Sequence, residues 1–155
     1  RTLIIDADMR RPNVARMLEM EDGAGLSSWL IGEATIQDIV RKTDVPGLDM
    51  ISAGPIPPNP SELAESSRFS DLLVAMREGY DHIVVDSSPI GLVSEFVVVM
   101  GHLDVTLYVV RERHTKRGAM RVINELAEQG KLGRVDLLFN DVKSDHADGY
   151  GYYTK

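Results

Sequence analysis

The chain has 155 residues, 43% hydrophobic and 26% charged, a size and balance that suit one globular domain with a real core. Its formal charge of −7 argues against a nucleic-acid partner, because phosphate backbones are held by clustered Lys and Arg. With no cysteine, disulfides, thiolate nucleophiles and Cys-ligated metals are excluded, and the four histidines are scattered without metal-ligand spacing. Nor does any window reach the roughly 18 consecutive apolar residues of a membrane span.

In chain order, the first predicted element is a buried strand over Leu3–Asp6. Gly23–Val40 reads as short helical pieces around Leu26, Trp29, Leu30, Ile36 and Ile39. A second strand covers Leu48–Ser52. The segment Ala53–Ser61 (AGPIPPNPS) places four prolines within six residues, which predicts no regular hydrogen-bonded structure there. Phe69, Leu72, Leu73 and Met76 recur at helical spacing and predict a helix over Phe69–Glu78. Strands follow at His82–Asp86 and Val105–Arg111. Ala119, Met120, Ile123, Leu126 and Ala127 predict a helix over Arg117–Gln129, with Thr115 as its N-cap. The last strand is Val135–Asn140. Most of these strands are continuous apolar runs, as expected of strands covered on both faces. Strands alternating with helices predict an α/β fold, a doubly wound and mostly parallel sheet with helices on both faces. Lys143–Lys155 is polar, glycine-containing and tyrosine-rich, and reads as a flexible tail after a folded domain over residues 1–142.

Ligands of doubly wound sheets sit beyond the carboxyl ends of the strands. Asp6, Asp8 and Asp86 fall there, and hard carboxylate oxygens on a rigid rim suit Mg²⁺ joined to substrate phosphates. The competing reading is that an aspartate after a strand simply caps the next helix. Arg10 and Arg11 offer fork geometry to phosphate oxygens or an acidic neighbour, against the alternative of solvated surface arginines. Tyr150, Tyr152 and Tyr153 lack the spacing and neighbours of a core, whereas Tyr80 and Tyr108 lie in folded segments and are expected to pack.

Several strings resemble those of the bacterial tyrosine autokinases. LIIDADMRRP resembles their Walker A′ motif and HIVVDSSP their Walker B strand, although Ser88 stands where the family usually carries proline. AGPIPPNPSEL, GLSSWLIGEATIQDIV and the DGYGYYTK tail also resemble family segments, in the family's order over essentially the whole chain. The resemblance implies a fold of the P-loop NTPase type, related to the partition and septum-site ATPases. It implies ATP and Mg²⁺ as cofactors, with Asp6 near the attacking hydroxyl and the Mg²⁺, Asp8 supporting the metal and its waters, and Asp86 holding a metal-bound water. By the same resemblance Asn140 reads the adenine edge, with Arg111 as a weaker candidate for that pocket. Tyr150, Tyr152 and Tyr153 become acceptors phosphorylated between subunits of a ring-like homo-oligomer. The implied setting is the cytoplasmic face of the bacterial membrane, beside a fused or separate membrane chain-length regulator. There the kinase controls capsular or exopolysaccharide polymerisation and export.

One part of the family pattern is not found in these residues. The Gly-rich loop ending in Gly-Lys-Ser/Thr, which cradles phosphates through backbone N–H groups and a lysine, does not occur. The Gly-Lys pair here, Gly130-Lys131, lacks the upstream strand and glycines. In relatives that loop precedes the Asp-x-Asp strand. The expectation is therefore a kinase domain incomplete at its amino end, inactive and poorly folded alone without its central strand. A partition-type ATPase switch and a non-catalytic module are the alternatives.

Overall fold

Leu3 and Ile5 are wholly buried at alternate positions of β1 (Thr2–Asp6), the strand on which the first part of this computed structural model is built. The structure describes residues 1–88, 100–131 and 133–142, and the chain divides into two units, Arg1–His102 and Leu103–Lys155.

In the first unit, β1 is flanked in parallel by β3 (Leu48–Ile51) and β4 (His82–Asp86). A short β2 (Val40–Lys42) runs antiparallel on the outer side of β3, giving the order β2-β3-β1-β4. The parallel α/β arrangement expected from the strand–helix alternation is therefore present. Strand β2 was not expected: it is three residues long and half polar in character, as edge strands often are.

The helix α5 (Ser67–Arg77) buries Phe69, Leu72, Leu73 and Met76, the set that its spacing predicted. Ser66 caps it by accepting the Arg68 N–H at 3.2 Å. The helical pieces expected within Gly23–Val40 are α2 (Leu26–Leu30) and α3 (Ile36–Ile39). Trp29 of α2 and Arg68 of α5 are bonded reciprocally: indole Nε1 donates to the Arg68 carbonyl at 3.1 Å, and Arg68 Nε donates to the Trp29 carbonyl at 3.0 Å. The guanidinium also lies 4.7 Å from the ring centroid.

Two elements depart from expectation. A four-residue α1 (Val14–Met17) follows the Arg-Arg-Pro string. The Pro-rich segment lacks regular structure only as far as Asn59, because α4 (Pro60–Ala64) begins on its last proline. At the first helical position the missing proline N–H has no helical acceptor to lose, so Pro60 starts a helix instead of preventing one.

In the second unit, β5 (Val105–Arg111) and β6 (Arg134–Asn140) pair in parallel along their whole length, connected through α6 (Arg117–Glu128). The N-cap of α6 is Lys116, not Thr115; the Thr115 hydroxyl instead accepts the Arg111 N–H at 2.8 Å. Gly130, at φ +66°, ends α6 with its own and the Lys131 N–H groups bonded to Ala127 and Leu126. The Gly-Lys pair is thus a helix terminator. Among the described residues, no helix is long and apolar enough to cross a membrane.

Tyr108 is buried as expected, and Tyr80 is half-buried with its hydroxyl donating to Asp49 Oδ2 at 2.8 Å. That bond, and then Arg1, hold the Asp49 carboxyl below its ordinary range. A lowered acid adds stability above its unfolded pKa and loses it as pH falls through the folded value. Tyr80→Phe is therefore expected to cost about 1–2 kcal/mol at pH 7. The difference from wild type should shrink towards pH 3, as urea unfolding at the two pH values will show.

Candidate active site

Parallel pairing puts the carboxyl ends of β1 and β4 side by side, with Asp6 and Asp86 as register partners. The Ala7 N–H donates to the Asp86 carbonyl at 2.8 Å and carries the pairing one step past the strands. Asp6, Asp8 and Asp86 are in this way gathered at one sheet edge, but their environments differ sharply.

Asp6 is 0% exposed, and backbone donors meet both of its oxygens. Oδ1 accepts the Asp8 N–H at 3.2 Å, while Oδ2 accepts those of Asn13 and Val14 at 3.1 and 3.0 Å. These bonds turn the carboxylate inward and hold the loop to the start of α1.

Asp8 is half-buried. Its Oδ1 accepts the backbone N–H groups of Arg10 and Arg11 at 3.2 and 3.0 Å and the Ser88 hydroxyl at 2.7 Å. Asp86 stands at the tip of β4, open to solvent on one side. Its carboxyl is raised above the ordinary range, first because the sheet strips part of its hydration, then because Asp6 and Asp8 add like charge. Among the described residues, no three His, Cys, Asp or Glu side chains converge to hold a metal ion. The two carboxylates not wholly buried, Asp8 and Asp86, are close enough to repel, a donor set that fits a hard cation that keeps several waters and takes one or two carboxylates, as Mg²⁺ does.

Arg10 is exposed, and its Nη2 donates to Ser61 Oγ at 2.6 Å, joining the Arg-Arg-Pro loop to the start of α4. Two strings far apart in sequence are therefore one structural unit, which neither string signals alone. Arg11 is exposed and contributes its backbone N–H to Asp8. The Ser88–Asp8 bond was also missed; its only trace in sequence is the serine at a position where the pattern expects proline.

Arg111 and Asn140 belong to the second unit, where they end β5 and β6 as register partners. Arg111 Nε donates to Asp141 Oδ2 at 2.9 Å, and Asn140 Oδ1 accepts the Asp141 N–H at 2.8 Å. The amide oxygen expected to face a base is thus engaged locally. Tyr150, Tyr152 and Tyr153 lie outside the described residues, as does the Pro89 that closes the HIVVDSSP string.

No protein-family model matches the chain. Individual proteins do. The tyrosine-protein kinase ptk of Acinetobacter johnsonii is 34% identical over 150 residues, covering 97% of this chain and 20% of its own length. The tyrosine-protein kinase CpsD of Streptococcus agalactiae is 30% identical over 158 residues, covering 100% of this chain and 69% of its own. The solved kinase domain of the Escherichia coli tyrosine kinase ETK superposes with a TM-score of 0.86 at 28% identity, over 100% of this chain and 61% of that one. The chain therefore spans a fifth of the Acinetobacter protein and about two thirds of the streptococcal one.

Proposed function

Since the chain belongs to the bacterial tyrosine-protein kinases, we propose that its natural protein transfers the γ-phosphoryl group of ATP to tyrosines of its own carboxyl-terminal tail. The observation that carries this reading is the edge at which Asp8 and Asp86 meet, in a chain that aligns from end to end with kinases. Mg²⁺, when bound, would neutralise charge on the transferring phosphates.

In this reading Asp8 and Asp86 hold the metal and its waters, and Asp6 fixes the loop from which Asp8 projects. The terminal P–O bond of ATP breaks as the tyrosine oxygen bonds to phosphorus, and the phenolic proton passes to an open carboxylate of the pair. Arg10 and Arg11 stand beside that edge to meet phosphate oxygens or an acidic neighbour. Arg111 and Asn140 serve the nucleotide base.

The phosphate-cradling loop and its strand are not among these 155 residues. Phosphorylation between subunits adds about −1.5 to −2 charges per tyrosine to an acidic chain and favours release from a ring-like oligomer. The setting is capsular or exopolysaccharide export, at the cytoplasmic face of the membrane with a chain-length regulator.

The test is phosphotyrosine formation by the full-length protein with ATP and Mg²⁺. Changing Tyr150, Tyr152 and Tyr153 together to Phe should remove most of the label. Mixing that variant with an Asp86→Asn protein should restore label on the latter's tail, the signature of transfer between subunits. ATP hydrolysis without any phosphotyrosine would overturn the reading in favour of an ATPase switch.

A further inference from the structure

Across 80 positions of sequence, Ser88 Oγ donates a 2.7 Å hydrogen bond to Asp8 Oδ1. Asp8 Oδ1 also receives the N–H groups of Arg10 and Arg11, but both belong to the loop that Asp8 itself begins. These turn contacts hold the carboxylate to its own loop and carry no information about β4. Ser88 comes from the other strand, two residues beyond Asp86. Its hydroxyl links the Asp8 carboxylate directly to the segment that presents Asp86.

We propose that Ser88 is a positioning residue for the divalent cation: it holds Asp8 Oδ1 inward, so that Oδ2 faces the same space as the Asp86 carboxylate. This rests on the reading of Asp8 and Asp86 as the open metal-facing pair. A hydroxyl donating to a carboxylate makes a short, charge-assisted bond, strong enough to select one side-chain orientation. The sheet itself does not depend on it. The Ala7 N–H to Asp86 carbonyl bond at 2.8 Å and the parallel ladder from Thr2 to Asp6 join the two strands without Ser88. Removing the hydroxyl therefore leaves the fold standing and the Asp8 carboxylate on its own loop, but releases it from the segment that presents Asp86. The HIVVDSSP string carries serine where its family's pattern usually has proline, which has no hydroxyl to give.

The experiment is Mn²⁺ binding to the full-length protein with ADP, read by electron paramagnetic resonance, a measurement that requires no phosphoryl transfer. Ser88→Ala should weaken Mn²⁺ binding about 10-fold, within the range for partners that orient metal ligands. Ser88→Thr should restore it, and the melting temperature should stay at the wild-type value in both. In the kinase assay, Ser88→Ala should raise the Mg²⁺ concentration needed for half-maximal rate while leaving the rate at saturating Mg²⁺ unchanged. Wild-type Mn²⁺ affinity in Ser88→Ala overturns the proposal, as does a well-folded Ser88→Thr that binds no better than Ser88→Ala. Should Ser88→Ala lower the melting temperature, Ser88→Val against Ser88→Thr, equal in shape, makes the same comparison. A wild-type protein that binds Mn²⁺ with ADP but labels no tyrosine sinks the kinase reading and leaves the Ser88 question to the binding data.

Discussion

Replacing Asp86 with asparagine is expected to cut tyrosine phosphorylation by about 10–100-fold, the range for losing a metal-site partner, and to raise thermal stability. The two effects have one cause. Asp86 carries a charge that the sheet partly desolvates and that Asp6 and Asp8 repel, so its carboxyl is raised above its unfolded value. A raised acid binds more protons folded than unfolded, so stability falls as pH rises through the folded pKa, and the penalty is complete above it. Asparagine removes that penalty and keeps an oxygen to accept the Ser87 N–H. The melting temperature should rise at pH 7.5, and the gain should vanish below the ordinary carboxylate range. Scanning calorimetry at pH 7.5 and pH 3.5 reads both.

The same isosteric change at Asp6 should have the opposite sign. There both oxygens accept backbone N–H groups in a site with no exposure, and an amide would turn a donor towards donors. A loss of about 2–3 kcal/mol is expected. Opposite shifts from two aspartates that are register partners would establish that one is structural and the other held ready for a cation. Equal shifts would refute the distinction.

The contrast also marks how far the sequence could be read. The helix α5 was legible because four apolar residues recur at its period and bury together. The strands were legible because continuous apolar runs have few other homes. Strand β2 was not, since Val40-Arg41-Lys42 pairs only because β3 lies beside it, and edge pairing leaves no pattern in so short a run. The start of α4 was not legible, because a proline breaks a helix inside it yet opens one at its first position. At the site, the gathering of Asp6, Asp8 and Asp86 followed from strand ends alone. Which of them turns inward did not follow, because it depends on the return of the chain at Asn13 and Val14. The Arg10–Ser61 and Ser88–Asp8 bonds are long-range contacts between short polar strings, and no local period records such contacts.

Gly25→Ala is expected to be among the most damaging single-methyl changes in the chain, although Gly25 touches no ligand-facing residue. A Cβ there would lie 2.3 Å from the Ser52 carbonyl oxygen and 2.5 Å from the Gly54 nitrogen, both backbone atoms. The crowding arises because Leu26 and Ser27 donate their N–H groups to the carbonyls of Ser52 and Ala53, at 2.7 and 2.9 Å, which draws the start of α2 against the end of β3. No side-chain rotation relieves a clash with backbone, so the two segments must separate and give up those bonds. The cost should reach about 3 kcal/mol or more, the upper range for overpacking. Gly54→Ala should also destabilise: its φ of +78° strains any Cβ, which would also lie 2.6 Å from the Ser27 hydroxyl and 3.1 Å from the Gly25 nitrogen. Gly118, inside α6 with open space around a Cβ, is the control, and alanine there should stabilise by about 0.5–1 kcal/mol. Urea unfolding of the three variants in the full-length protein decides the matter. A Gly25→Ala protein as stable as wild type would mean that the GLSS and AGP strings do not pack as described, and that their likeness to the kinases has a cause other than this close approach.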